Sequence, residues 1–183
     1  MSRWIVLVLL VLLLRSSPAA ALSWGLGSQF GIASINIGGS SDNTTVLGWP
    51  SNAIAYEPGL RVACGNTAHT REFMLDSGWF FLNESGSTLS LFVGGVTYQH
   101  VVRPAWYWSP FANVGLGWYS ESAAAHSHTS PNYGAGIGMR HALRDSHGAV
   151  RAEVRYDHLA GDSGSGRPTL NTVALRLGFD LWL

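Results

Sequence analysis

Residues 149–183 carry the pattern that most limits what this chain can fold into. Val150, Ala152, Val154, Tyr156 and His158 share one parity, and Arg151, Glu153, Arg155 and Asp157 share the other. After a loop of glycine and serine the alternation resumes. Val173, Leu175, Leu177, Phe179, Leu181 and Leu183 fall on one face, and Thr172, Ala174, Arg176, Gly178, Asp180 and Trp182 on the other. Side chains alternate across a strand with a period of two, so these stretches are strands with one apolar and one charged face. A soluble sandwich would turn the apolar face to a core and the charges to water. A membrane barrel would turn the apolar face to lipid and the charges to its lumen.

The N-terminus favours the second solution. Arg3 precedes an uninterrupted apolar run from Trp4 to Leu14, followed by the small residues Ala19-Ala20-Ala21, the layout of a secretory signal. The run falls well short of the roughly 20 residues a spanning helix needs. Residues 1–21 are therefore expected to be removed, leaving 22–183 as one barrel domain. The single cysteine, Cys64, excludes an intramolecular disulfide. Zero formal net charge, with no long basic run, argues against a nucleic-acid partner. Only 12% of residues are charged, against about a quarter in ordinary soluble domains.

Eight stretches of strand length follow the expected cleavage point, separated by turn-forming clusters: 24–38, 53–64, 71–82, 88–101, 109–121, 133–143, 149–159 and 170–183. An even number of tilted strands suits a bacterial barrel with both termini on the periplasmic side. The expected fold class is all-β, an eight-stranded antiparallel transmembrane β-barrel with up-and-down meander topology. The connections 39–52, 83–87, 122–132 and 160–169 are expected to be outer loops, and 65–70, 102–108 and 144–148 inner turns. Trp24, Trp49, Tyr56, Trp79, Trp106, Tyr107, Trp108, Trp118, Tyr119 and Tyr133 gather near segment ends, as the aromatic girdles of a barrel do. Gly134, Gly136 and Gly138 share the parity of Arg140, which places glycines on an inward face that needs room for larger neighbours.

Arg151, Glu153, Arg155, Asp157, Arg176 and Asp180 are the candidate lumen residues, with Glu57, Arg61, Glu72, Asp76 and Arg140 of suitable parity to join them. Charges in a low-dielectric interior must be paired, so the expected arrangement is a ladder that plugs the lumen rather than an open pore. His126-Ser-His128 supplies two of the four ligands usual at a structural zinc site, so no metal or other cofactor is expected.

The eight-segment layout, Pro58-Gly59-Leu60-Arg61-Val62, the run Pro110-Phe111-Ala112-Asn113-Val114-Gly115-Leu116-Gly117-Trp118-Tyr119, and Arg151-Ala152-Glu153-Val154-Arg155-Tyr156 resemble the small OmpA-type outer-membrane β-barrel domains. The last residues, with Arg176, Gly178, Leu181 and Leu183 in a polar-x-Gly-x-x-hydrophobic-x-hydrophobic frame, resemble the signal by which such proteins are recognised for assembly. That position usually ends in an aromatic; here Trp182 precedes Leu183. The resemblance implies an integral protein of the bacterial outer membrane and a monomer. It further implies outer-membrane lipid and lipopolysaccharide, the barrel assembly machinery and any extracellular ligand of the loops as partners.

One enzymatic branch of such barrels bears on the same residues. Arg155-Tyr156-Asp157-His158-Leu159-Ala160-Gly161 is similar to the catalytic segment of lipid A 3-O-deacylases, in which a His-x-Ser pair works with a later glutamate. His158 matches, but Ala160 stands at the nucleophile position and no glutamate follows Glu153. Without a hydroxyl no acyl-enzyme forms there. The expectation is a non-enzymatic barrel, with a degenerate deacylase or a small pore as the alternatives.

Overall fold

A computed structural model describes residues 22–38, 43–48, 59–84, 87–123, 126–143, 147–162, 164, 166 and 168–183. The expected signal segment, Trp49, Tyr56 and Glu57 lie outside these residues. The described chain forms nine strands: β1 (Leu22–Ile37), β2 (Asn43–Gly48), β3 (Gly59–Asn66), β4 (Arg71–Glu84), β5 (Ser87–Val101), β6 (Ser109–Ala123), β7 (His126–Ala142), β8 (Gly148–Leu159) and β9 (Leu170–Trp182). β2 lies against the outer half of β1 and β3 against its inner half, so the two make one stave of an eight-stave wall. Every described pairing is antiparallel and, with β2 and β3 counted as one stave, joins chain neighbours, and β9 returns to pair with β1 from Gly25↔Trp182 to Ile37↔Leu170. The sheet is closed.

Paired residues can be followed once around the wall. From Trp24 the path runs through Cys64, Phe73, Tyr98, Val114, Ala135, Tyr156 and Val173, and returns to β1 at Ser34, ten residues above its start. With ~3.3 Å per residue and ~4.8 Å between strands, this stagger tilts the strands by ~40° from the barrel axis. An eight-stranded barrel of this kind has an interior just wide enough for side chains to fill.

The alternation sorts inside from outside. Leu26, Leu60, Val62, Leu75, Val96, Val114, Leu116, Ile137, Val154, Leu175 and Leu177 stand exposed around the exterior, where a soluble protein would show polar groups. Trp24, Trp106, Tyr107 and Trp108 ring the inner end of this surface, and Trp118, Tyr133 and Tyr156 the outer end. The register and tilt place Trp24 and Trp118 ~23 Å apart along the axis, close to the ~25 Å apolar band of outer-membrane barrels. Tyr119, expected in the outer girdle, instead points inward and is 4% exposed. Its parity is opposite to that of Trp118, and parity decides the face.

The outer connections differ from their sequence reading. Asn43–Gly48 falls within the expected first loop yet pairs with β1, and β7 begins at His126 rather than Tyr133. Only residues 124–125 separate β6 from β7, and 85–86 separate β4 from β5. The inner connection 102–108 is longer than either. Beyond the outer girdle the outward face of a strand meets water rather than lipid, so the apolar alternation that marks a strand in lipid disappears while backbone pairing continues. Pro131 sits within β7 without breaking its pairing to β6. Its carbonyl accepts from Ala160 N, so its nitrogen faces the β8 side, at the place where regular β7–β8 pairing ends.

Candidate functional site: the charged lumen and the outer rim

The inward parity of five strands, β3, β4, β7, β8 and β9, brings ten charged side chains into the barrel. Arg61, Arg140, Arg151, Arg155 and Arg176 are all buried, as are Glu72, Asp76, Glu153, Asp157 and Asp180. Five positive charges thus meet five negative ones. All eleven basic residues of the chain are arginines, and the planar guanidinium suits this setting because it presents several donors in a fixed fork.

The network has three levels. At the inner mouth Arg140 donates to Glu72 and to the His69 carbonyl, while Gln99 Nε2 donates to Glu72 Oε2 at 2.9 Å. The Trp182 indole turns inward here, its ring centroid 4.2 Å from that of His69 and 5.6 Å from the Arg140 guanidinium. In the middle Arg61 Nε donates to Asp76 Oδ1, and Thr97 Oγ1 donates to Asp76 Oδ2 at 3.3 Å. Gln29 Oε1 accepts from both Arg151 (2.6 Å) and Arg61 (3.4 Å). Arg151 also lies 3.9 Å from Asp180 and 3.8 Å from Glu153. Toward the outer end Asp157 takes both neighbours: Arg155 Nε donates to Oδ1 at 2.8 Å and Arg176 Nη2 to Oδ2 at 2.6 Å. Arg155 Nη1 further donates to Asn113 Oδ1 at 2.7 Å, and Glu153 stands 3.8 Å away.

The six sequence-derived lumen residues therefore lie in one connected cluster. Gln29, Thr97, Gln99 and Asn113 were not singled out from the sequence, although each has inward parity. Glycines provide the space between these side chains. A Cβ added to Gly136 would come within 2.6 Å of Glu153 Oε1, one on Gly178 within 2.7 Å of Arg151 Nε, and one on Gly134 would collide with the Asp157 carboxylate. Gly178 thus has a packing reason to be glycine, independent of any signal. Leu181 and Leu183, the other hydrophobic positions of that terminal frame, face outward and are exposed.

The exterior of the outer rim holds a different cluster. His158 and Tyr133 pack with ring centroids 4.8 Å apart, and His158 Nδ1 lies 2.8 Å from Asn171 Oδ1. Tyr156 Oη donates to the same Asn171 oxygen at 2.7 Å. The position that would orient His158 in a hydrolase is thus occupied by an amide, reached through the β8–β9 pair His158↔Asn171. Asp162, a conceivable carboxylate substitute, faces His128 at 3.5 Å instead. The loop serines that could stand in for the missing nucleophile, Ser163 and Ser165, lie outside the described residues. His126 and His128 belong to β7, and the described residues hold no cluster of three or more metal-ligating side chains.

The comparisons agree with this geometry at the level of architecture. No protein-family model matches the chain, and no curated protein matches it in sequence. Among solved structures, Neisserial surface protein A aligns with a TM-score of 0.62 at 13% identity, covering 88% of this chain and 98% of that one. The chain has the fold of the small eight-stranded outer-membrane β-barrels. Ail of Yersinia pestis, solved with the heparin analogue sucrose octasulfate, aligns with a TM-score of 0.52 at 14% identity over 87% of this chain and 97% of its own. Outer membrane protein OprG from Pseudomonas aeruginosa gives 0.50 at 12% identity over 90% and 96%. Such identities speak to the fold. This outer-membrane-type barrel crosses with strands, and its exposed aliphatic band is the surface that meets lipid.

Proposed function

We propose that the protein is a monomeric, non-enzymatic outer-membrane barrel whose lumen is a permanent plug and whose outer hairpins carry its interactions. The neutral network of five arginines and five carboxylates supports this reading most directly. A conducting lumen needs space and mobile water along its axis, whereas here charges from five strands are fixed against one another within a bore that eight staves leave narrow. The barrel reconstituted in a planar bilayer should therefore show no discrete conductance steps at ordinary salt. Regular single-channel openings would overturn the plug.

The outer hairpins β4–β5 and β6–β7 continue past the aromatic girdle and form a paired sheet through Ser90↔Ser122, which offers a surface to partners beyond the membrane. Recognition of a polyanion such as the heparin analogue bound by Ail is not supported by the same chemistry. Among the described residues beyond the outer girdle, the charged positions are Glu84, Glu121 and Asp162, with no arginine. On the inner side, we propose that Arg176, Gly178, Leu181 and Leu183 present the assembly signal, and that residues 1–21 are the export signal of the barrel domain 22–183.

The hydrolase alternative has a direct test. Cells expressing the folded protein should yield a lipid A mass spectrum identical to that of empty-vector cells, because Ala160 provides no nucleophile and Asn171 no carboxylate. Loss of an acyl chain would identify an enzyme with a different attacking group.

A further inference from the structure

The charges on the outside of the barrel are sorted by end. Among the described arginines, those not buried in the lumen are Arg71 and Arg103, and both stand exposed at the inner rim, whereas the charged positions beyond the outer girdle are acidic. Arg71 opens β4 with an outward side chain and pairs with His100 of β5, which is also exposed. Followed along the register and the strand tilt, both lie within ~5 Å of the level of Trp24 in the inner girdle. Arg103 comes three residues after His100, in the connection 102–108. Its backbone takes the left-handed conformation (φ 55°), Trp106 N donates to its carbonyl at 3.1 Å, and the Trp106 carbonyl accepts from Ser109 Oγ at 3.1 Å. This turn holds the Arg103 guanidinium over the Trp106 ring, 4.4 Å from its centroid. Neither guanidinium meets a carboxylate among the described residues.

We propose that Arg71, His100 and Arg103 bind the head group of an anionic phospholipid of the inner leaflet, of the phosphatidylglycerol class. A guanidinium exposed at the depth of the lipid heads is complementary to phosphate, which it meets with paired N–H donors, and stacking on an indole leaves those donors free. The surroundings select among phospholipids. With two arginines and no carboxylate at hand, the ammonium of phosphatidylethanolamine finds repulsion and no partner, so a head that carries the phosphate charge alone is preferred. The neutral His100 imidazole offers one donor and one acceptor, which suits the hydroxyls of a glycerol head. Ala112, opposite His100 on β6, leaves room beside it. Phe73 and Tyr98, the next outward residues of β4 and β5, stack at 5.1 Å where the apolar band begins, so the acyl chains of a lipid headed here meet an apolar wall. The anions of the cell wall would have to be met below the girdle, whereas Arg71 and His100 lie level with it. The inference rests on the exterior meeting lipid and on the termini marking the periplasmic end, and is independent of the plugged lumen.

The folded barrel, checked by its heat-dependent gel shift, would be presented in detergent micelles with phosphatidylglycerol or with phosphatidylethanolamine and released for native mass spectrometry. Wild type should retain phosphatidylglycerol and little phosphatidylethanolamine. The double variant Arg71→Gln/Arg103→Gln should lower phosphatidylglycerol retention about thirtyfold, or ~2 kcal/mol, and erase the preference. Both side chains lie outside the lumen network, so its gel shift should match that of wild type. Arg71→Gln/Ser122→Arg, which moves one positive charge to the outer rim at constant net charge, should lose as much as Arg71→Gln alone. Equal retention of the two lipids by wild type, wild-type retention by the double variant, or recovery through Ser122→Arg would overturn the site. Sedimentation of the barrel with purified peptidoglycan, lost in the double variant and without any lipid preference, would overturn it in favour of the cell wall. Absence of the gel shift in wild type would instead overturn the barrel reading itself.

Discussion

Arginine in place of Val154 should lower the folding free energy of the barrel in lipid vesicles by about 2–4 kcal/mol, the range for a cation on the lipid face near the midplane. Val154 is 51% exposed and pairs with Leu175, itself 50% exposed, in the middle of the aliphatic band. The register places this pair about halfway between the two aromatic girdles, where snorkelling to either interface is longest. His158→Arg, two strand positions beyond Tyr156 on the same face, should cost only ~0–1 kcal/mol because the outer interface is at hand. Urea unfolding followed by tryptophan fluorescence reads both. Equal tolerance of arginine at 154 and 158 would show that the exterior does not meet hydrocarbon, and the aliphatic band would need another explanation.

The sequence was most legible where one strand face meets lipid and the other a packed charge network. In β8 and β9 every residue from Val150 to Asp157 and from Thr172 to Trp182 takes the face its parity assigns. Legibility ended at the outer girdle. The stretch His126–Ser130, polar on both parities, reads as a loop because neither parity carries the apolar face that marks a strand. Asn43–Gly48 was lost in the same way. Residue type misleads where it is weighed above parity, as with Tyr119, which fills the lumen while its neighbour Trp118 faces out.

Partnerships across strands required the register. Asn113 and Arg155 are 42 positions apart and meet only because β6, β7 and β8 align Asn113, Gly136 and Arg155 in one row. The amide beside His158 was within reach of sequence reasoning, since a β8–β9 hairpin register fixes Asn171 opposite it. A search for a glutamate passes over it, because the residue in the pairing position is an amide. That substitution matters to function, because an amide holding both Tyr156 and His158 makes a neutral hydrogen-bonding surface where a carboxylate would make a catalytic one.

Removal of the Asp157 carboxylate should be the most damaging single change inside the lumen. Asp157→Ala leaves Arg155 Nε and Arg176 Nη2 without the oxygens they now reach at 2.8 and 2.6 Å, both guanidiniums being buried. Breaking a buried pair from one side costs about 3–5 kcal/mol, because the remaining charge keeps its desolvation penalty and loses its compensation. Arg176→Leu should cost less than Asp157→Ala, since Asp157 retains Arg155. The double variant decides the mechanism: with Arg176 already replaced, losing Asp157 takes its oxygens from one arginine rather than two. Arg155 then keeps Asn113 at 2.7 Å and Glu153 at 3.8 Å. The combined loss should fall short of the sum of the single losses by ~1–3 kcal/mol, the coupling expected of residues in one ionic network. Strict additivity would mean that the two side chains act independently, and that the plug is held by shape rather than by paired charge.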